Sequence, residues 1–303
     1  MRNIQTILLA VVLCVFCSCS DRGEDISGRR YPILFGSTDT RAVANLDTLK
    51  NQGFKVYAHF EGNLGSASFE KDVTYYPEQN VWGYEGIQYW IPSTKYWFTA
   101  FYPTTSSAGT VKVTEQESNY HSYTITNFDI TKQEDIMVAQ AYREVGANED
   151  APTEGSVVEL NFQHLLACVV VEIKCEVANC TINEVKLSGI YDNATCENGV
   201  WSSSNTTSIS HVPQGITLDS TNYVDVTNGG LLVIPQNING SQTIIINTSI
   251  KNYPEVAIPI LTWEKGKKYT YRAIIKQNDI VFKDAPEVTV WDSDSATGSV
   301  IIK

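Results

Sequence analysis

The sequence lacks the motifs of the common enzyme classes. Its four histidines include no pair at the i, i+4 spacing of a helical zinc site. It has no G-x-S-x-G elbow, no P-loop and no dinucleotide-binding fingerprint. The segment Asp292-Ser293-Asp294 lacks the Gly and the distal Glu of a calcium-binding loop. These absences predict a protein that is not an enzyme and that holds no metal and no cofactor.

One histidine is a candidate general base. His164 is followed by Leu165 and Leu166, which places it at the end of an apolar strand. Polar side chains in such surroundings are normally hydrogen-bonded to a neighbour. We therefore interpret His164 as a structural histidine rather than a catalytic one.

Basic residues are scarce as well. Lys and Arg number 22 against 34 Asp and Glu, which gives a formal net charge of −12. Binding to nucleic acid or to anionic lipid depends on Lys and Arg side chains that neutralise phosphate. The charge balance therefore predicts that nucleic acid is not a partner.

The sequence has no apolar run of roughly 20 residues, the length needed to span a membrane as a helix. Residues 7–16 (ILLAVVLCVF) form a shorter apolar run after the charged Arg2. A charged start, a short apolar run and a small residue are typical of a secretory signal peptide. We therefore predict that residues 1–18 are a signal peptide.

The end of this segment has the pattern of a bacterial lipobox, which needs a bulky apolar residue at −3 and a small residue at −1. Cys19 has Phe16 and Ser18 at these positions, whereas Cys17 has Phe16 directly before it. We predict a lipid anchor on Cys19 and attachment to the outer membrane. Residues 20–25, directly after the anchor, are polar and mostly acidic, and we predict that residues 19–30 form a flexible tether.

Apolar and polar residues alternate through most of the remaining chain. The alternation is clear at 54–60, 158–162, 269–275 and 288–290, and it is typical of strands with one buried face. Turn residues such as Asn198-Gly199 and Asn239-Gly240 separate the runs at short intervals. Only residues 42–51 have helical spacing, with Gly53 as a stop signal. The pattern predicts an all-β protein of antiparallel β-sandwiches.

One acidic segment interrupts the alternation of apolar and polar residues. Residues 143–155 (REVGANEDAPTEG) contain Gly and Pro and no alternation, as in a link between domains. We predict an N-terminal β-sandwich domain at 31–150 and a C-terminal β-sandwich domain at 151–303. Both lengths are ordinary for such domains.

Four cysteines lie beyond the anchor. Cys168 and Cys175 are an odd number of residues apart on one predicted strand, so their side chains point to opposite faces. Cys180 with Cys196 is the remaining pairing to consider as a disulfide. Buried free thiols are an equal alternative, because connectivity does not follow from sequence.

Aromatic residues are concentrated in one stretch. Nine of them lie between Trp82 and Tyr102. Such rings fill the core of a β-sandwich or pair across its strands. Exposed, they would instead form a platform for sugar rings, and the protein would then be a monomeric glycan-binding lipoprotein of the cell surface.

Several segments, taken in order, resemble the fimbrillin family of fimbrial subunits from Bacteroides-like anaerobes. The shared segments are TRA at 40–42, GFKVYA at 53–58, YWIP at 89–92, WFTAFYP at 97–103, DIMVA at 135–139, VELNFQHLLA at 158–167, VKLSGI at 185–190 and WEKGKKYTY at 263–271. Each segment alone is a loose strand pattern. Their order and spacing extend over nearly the whole chain after the anchor.

The resemblance implies two transthyretin-like β-sandwich domains, export as a lipoprotein and polymerisation by strand donation. In such subunits a protease cuts after an Arg that follows the first strand, and a segment of a neighbouring subunit then enters the groove. Here the first strand corresponds to residues 31–37, with Tyr31, Ile33 and Phe35 as its alternating side chains. The cut corresponds to Arg41-Ala42, with Arg29-Arg30 as a competing site.

The partners implied are other fimbrial subunits, the outer membrane through the lipid and a host protein or glycan. The resemblance leaves open whether the chain is a stalk, an anchor or a tip subunit, and whether Arg41 is cut. A structural subunit of a cell-surface fimbrium that serves adhesion is the first functional hypothesis. The glycan-binding monomer is the alternative.

The lipobox leads to a direct test. Cys19→Ala is expected to abolish metabolic labelling with palmitate and to release the protein from the membrane fraction, because only Cys19 has a small residue before it. Cys17→Ala is the matched control and should label normally. Unchanged labelling of the Cys19→Ala protein would contradict the assignment.

Overall fold

The computed structural model describes residues 31–36, 46–78, 81–149, 151, 157–213, 215–283 and 285–291. The predicted signal peptide, tether, lipid anchor Cys19 and cleavage site Arg41-Ala42 lie outside these residues. The chain from Tyr31 onward forms one compact unit. Among the described residues, no helix has the length and apolar character needed to cross a membrane.

The described chain is almost entirely β-structure, as the alternating sequence predicts. The strands up to residue 145 are β1 (Leu34–Gly36), β2 (Phe54–Gly62), β3 (Gly65–Tyr76), β4 (Val81–Gly83), β5 (Thr94–Tyr102), β6 (Thr110–Thr114), β7 (Ser122–Phe128) and β8 (Met137–Val145). The following strands are β9 (Val157–Glu159), β10 (Gln163–His164), β11 (Ala167–Cys175), β12 (Ile182–Asp192), β13 (Ala194–Glu197), β14 (Val200–Ser202), β15 (Asn205–His211) and β16 (Val224–Asp225). The last strands are β17 (Leu231–Val233), β18 (Gln236–Ile238), β19 (Thr243–Thr248), β20 (Val256–Ala257), β21 (Leu261–Trp263), β22 (Lys267–Ile275), β23 (Ile280–Phe282) and β24 (Glu287–Val290).

Helical structure is confined to α1 (Leu46–Gln52) and a 3-10 turn at Ile130–Lys132 in the part of the chain that is described. The helix ends where the sequence predicts, at Gly53, whose N–H donates to the Leu49 carbonyl at 2.8 Å. Gly53 has φ +68, and a Cβ there would lie 2.4 Å from the Val73 carbonyl oxygen. Only glycine fits this turn from α1 into β2.

A six-stranded antiparallel sheet with the order β10-β8-β5-β2-β3-β4 dominates the first part of the fold. Phe54, Val56 and Ala58 of β2 are buried and alternate with half-buried residues, which confirms the period of two. β5 lies between β2 and β8, and all but one of its residues are buried. Its continuous apolar sequence is therefore that of a strand covered on both faces.

The second part contains three larger sheets. Their orders are β16-β11-β22-β23, with β17 and β24 paired to the same strands, β15-β12-β19-β20, and β14-β13-β7-β6. Most pairings are antiparallel, as predicted. β11 and β22 instead run parallel from the Cys168–Lys268 pair to the Cys175–Ile275 pair. A parallel pair requires a long connection, and here the chain from β12 to β21 supplies it.

Two hydrophobic cores form among the described residues, and each takes side chains from both sides of residue 150. The first core takes Val158, Leu160 and Phe162 from beyond that point. The second core takes Phe101, Ala108, Tyr123, Ile125, Phe128, Ile130 and Ile136 from before it. β7 also pairs with β13, and β10 pairs with β8. Each core therefore uses side chains from both sides of residue 150, and the division into domains at 31–150 and 151–303 stays a prediction.

The four cysteines beyond the anchor are free and buried, so the Cys180–Cys196 disulfide considered above is not present. The Cys180 thiol is buried near that of Cys175, and both its burial and this neighbour raise its pKa. Burial raises the pKa of the Cys168 and Cys180 thiols to about 12 and that of Cys196 to about 11. Because the thiolate is the reactive form, these groups are protected in the folded chain.

This arrangement predicts slow alkylation. In a soluble chain beginning at Ser20, iodoacetamide at pH 8 is expected to leave the folded protein unmodified and to modify all four thiols after denaturation without reductant. Mass spectrometry of intact protein gives the count. A denatured, unreduced protein with only two reactive thiols would contain a disulfide and would contradict the structure.

Candidate functional site: the groove that holds the first strand

The first described segment, residues 31–36, lies in the first core. Ile33 and Phe35 are 1% and 3% exposed, whereas Leu34 between them is 38% exposed. The Phe35 ring centroid lies 5.4 Å from that of Tyr84 and 5.5 Å from that of Phe98. The alternating side chains therefore occupy an apolar groove while the opposite face is in contact with solvent.

Backbone hydrogen bonds hold this segment along both of its edges. On one edge, the Ile33 N–H donates to the Gln88 carbonyl at 2.8 Å, and the Trp90 N–H donates to the Tyr31 carbonyl at 3.0 Å. On the other edge, β1 pairs in parallel with β9, and the Leu160 N–H donates to the Gly36 carbonyl at 2.9 Å. The segment is inserted between two backbones in the manner of a bound peptide strand.

A side chain adds to this main-chain contact. The Tyr84 hydroxyl donates to the Ile33 carbonyl at 2.7 Å and accepts from the Gln88 N–H at 3.2 Å. Burial raises the pKa of the Tyr84 phenol, so the hydroxyl keeps the proton that it donates. Tyr84 thus links the first strand to the loop on which it lies.

The predicted site residues can now be placed. Ile33 and Phe35 point into the groove, and Tyr31 is half-buried beside the same core. The anchor Cys19 and the cleavage site Arg41-Ala42 lie outside the described residues and stay predictions. Sequence reasoning missed β9 and Tyr84 as the walls of the groove. The alternation at 158–162 identified a strand there, but its parallel partner is distant in sequence.

The aromatic stretch contributes to the core rather than to an exposed platform. The buried members are Trp82, Trp90, Tyr96, Trp97, Phe98, Phe101 and Tyr102. Tyr84 is half-buried, and Tyr89 is the one member of the stretch that is more than a third exposed, at 40%. Rings in the core cannot stack on a sugar, so this stretch favours the packing interpretation.

His164 has an acidic partner. Its Nδ1 lies 2.7 Å from Asp135 Oδ2, and its ring stacks on Trp291 with 3.7 Å between centroids. The side chain is buried, and Trp291 follows the last strand. This geometry fits the structural role predicted for His164, since it joins the start of β8, β10 and the end of β24.

A second buried histidine ties a hairpin to the first sheet. His59 of β2 has Nε2 2.8 Å from Glu61 and Nδ1 2.9 Å from Glu115, which lies beyond β6. Hydrogen bonds from Ser118 and from His59 lower the pKa of the Glu61 carboxyl to about 2. The β6–β7 hairpin, whose strands belong to the sheet with β13 and β14, is thereby held against β2.

The arrangement as a whole defines an all-β protein whose most distinctive binding feature is a groove for an extended strand. The chain belongs to the fimbrillin-like family, whose sequence model matches residues 40–291. The resemblance seen in the sequence is thereby confirmed. Membership implies a fimbrial, adhesion-related role at the cell surface.

Solved structures share the fold. A fimbrial protein from Bacteroides vulgatus superposes with a TM-score of 0.63 at 19% identity, over 87% of this chain and 100% of that one. A candidate cell adhesion protein from Bacteroides uniformis gives a TM-score of 0.52 at 16% identity, over 88% and 100%. No curated protein matches the sequence.

The groove predicts unequal effects of two adjacent substitutions. Phe35→Ala should lower the free energy of unfolding by about 3–5 kcal/mol, because it removes a buried ring from contact with Tyr84 and Phe98. Leu34→Ala, on the exposed face, should cost less than about 1 kcal/mol. Urea titration of both variants measures the difference. Equal losses would show that the alternation of the first strand does not determine its docking.

Proposed function

We propose that the protein is a structural subunit of a cell-surface fimbrium and that it assembles by strand donation. In this proposal, export as a lipoprotein through Cys19 is followed by cleavage between Arg41 and Ala42. The first strand then leaves its groove, and an extended segment of a neighbouring subunit replaces it. The observation that carries the proposal is the insertion of residues 31–36 between two backbones, five residues before Arg41 in the sequence.

The free energy gained by docking the first strand is close to the entropy cost of ordering it, so we expect the strand to stay docked only while it is covalently attached. Burial of Ile33 and Phe35 contributes about 1.5–3 kcal/mol each, and each hydrogen bond adds about 0.5–1.5 kcal/mol. Fixing the backbone of the six residues 31–36 costs about 6–12 kcal/mol. The opposing contributions are of similar size, so a cut after Arg41 that frees the strand favours its release.

An empty groove would not be stable by itself. Departure of the strand leaves the Gln88 carbonyl and the N–H groups of Trp90 and Leu160 without partners. It also exposes the apolar surface around Phe98. Unpaired strand edges of this kind bind another strand, and an incoming segment with alternating apolar residues satisfies both requirements. Cleavage is therefore a switch from a closed monomer to a subunit that polymerises.

The proposal distinguishes a stalk subunit from an anchor. A stalk subunit loses the first strand, whereas an anchor keeps it as a permanent part of the core. In this structure the groove holds the chain's own first strand. For a stalk subunit this would be the state before cleavage, and for an anchor it would be the final state.

An Arg-specific protease tests the proposal. Treatment of the purified protein is expected to produce a new N-terminus at Ala42 and, at high concentration, oligomers that resist mild denaturation. The matched variant Arg41→Gln should not be cut at this position and should stay monomeric. The protease can still cut it after Arg30, but that cut leaves the first strand attached. N-terminal sequencing and native mass spectrometry report both events.

Two results would contradict the mechanism. One is resistance of Arg41 to the protease in the folded protein. The other is a stable cleaved monomer from which the peptide containing Ile33 and Phe35 does not dissociate. Either result would leave the family assignment intact and would favour an anchor role with a permanent first strand.

A further inference from the structure

A polar cleft of about 490 Å³ lies away from the groove of the first strand. Five carboxamide side chains from four segments line it: Gln116, Asn119, Gln140, Gln163 and Asn198. The volume is within the range of about 300–1,000 Å³ that is usual for small-molecule sites. Both halves of the sequence contribute to it, because β8 and the β6–β7 hairpin meet the turns after β13 and β21 here.

The charge of the cleft differs from that of the chain. The sequence carries 34 acidic residues against 22 basic ones. None of the described residues that line the cleft is Asp or Glu, whereas Lys265 is among them. Lys265 has no carboxylate within salt-bridge distance in the part of the chain that is described. An uncompensated ammonium with no carboxylate beside it attracts an anion and repels a cation.

Lys265 is exposed, and its ammonium lies beside the Asn198-Gly199 turn. A Cβ on Gly199 would lie 2.4 Å from Lys265 Nζ and 3.2 Å from the Tyr123 hydroxyl. Gly199 has φ +84 and follows Asn198, which has φ +48. The turn therefore places the ammonium and the Tyr123 hydroxyl together, and a larger residue at 199 would displace the lysine.

The polar lining retains donors and acceptors that the protein does not use. Asn198 Oδ1 accepts from the Tyr123 N–H at 2.8 Å, which leaves the Asn198 NH2 available as a donor. Gln116 Nε2 donates to Ser122 Oγ at 3.0 Å, which leaves its oxygen available as an acceptor. A ligand with several hydroxyl groups matches such a mixed set, because each hydroxyl both donates and accepts.

The cleft wall also contains His121 and Tyr120. The His121 side chain is 6% exposed, and its Nδ1 is closed off from the cleft. The half-buried ring of Tyr120 offers a flat apolar surface on which a sugar ring can stack.

We propose that this cleft binds an acidic saccharide, with Lys265 paired to the sugar carboxylate and the carboxamides bonded to its hydroxyl groups. The proposal does not rest on strand donation, since no residue of the cleft belongs to the first strand or to the wall that holds it. The proposed site also differs from the aromatic platform considered above, because polar side chains bind the sugar.

Calorimetric titration of the full chain in detergent tests the proposal. The probe is trigalacturonic acid, and galactotriose is the uncharged comparison. The acidic sugar is expected to bind about tenfold more tightly than the neutral one, as a charge-assisted contact would give. Lys265→Gln should abolish this preference, and Gln140→Ala should weaken the binding of both sugars.

Lys276→Gln is the matched control, since Lys276 is an exposed lysine outside the cleft. Its binding should equal that of the original protein, and thermal unfolding should show all three variants folded. Equal affinity for both sugars, no measurable binding of the acid, or the same loss in Lys276→Gln as in Lys265→Gln would overturn the proposal. Arg41→Gln should bind as the original protein does, which separates this site from the assembly mechanism.

Discussion

The burial of Ile33 and Phe35 beside Tyr84 and Phe98 completes the first core. Without these two side chains, the six-stranded sheet would have an apolar surface next to an unpaired edge. The loop around Gln88 and the strand β9 are both ordered along this segment, one on each side of it. The N-terminal part of the fold therefore depends on contacts made by only six residues.

The domain boundary illustrates what sequence patterning can and cannot determine. Alternation at 158–162 correctly predicted strand-like residues with one buried face, and Val158, Leu160 and Phe162 are buried. The pattern does not specify which core receives that face, because any apolar surface would satisfy it. The acidic segment before it is predicted to link two domains, and side chains from both sides of that segment enter each core.

The candidate sites differ in how much the sequence predicts of them. The groove was predictable in part. The sequence shows the alternation of Ile33 and Phe35 and the position of Arg41, and the family resemblance assigns them to a first strand and a cleavage site. Its walls were not, because β1 and β9 pair across more than 100 residues of chain. No local sequence pattern indicates the polar cleft. Its carboxamides lie on four segments, and each alone is an ordinary surface residue.

The exchange of strands between the two cores has a mechanical consequence. Because β7 pairs with β13 and β9 pairs with β1, the chain passes from one core to the other and back. Tension applied along the molecule cannot extend a single linker at low force. Pulling the cores apart would load every crossing of the chain at once and would strain the pairing of β7 with β13. A protein at a cell surface that is exposed to flow benefits from cores linked in this way.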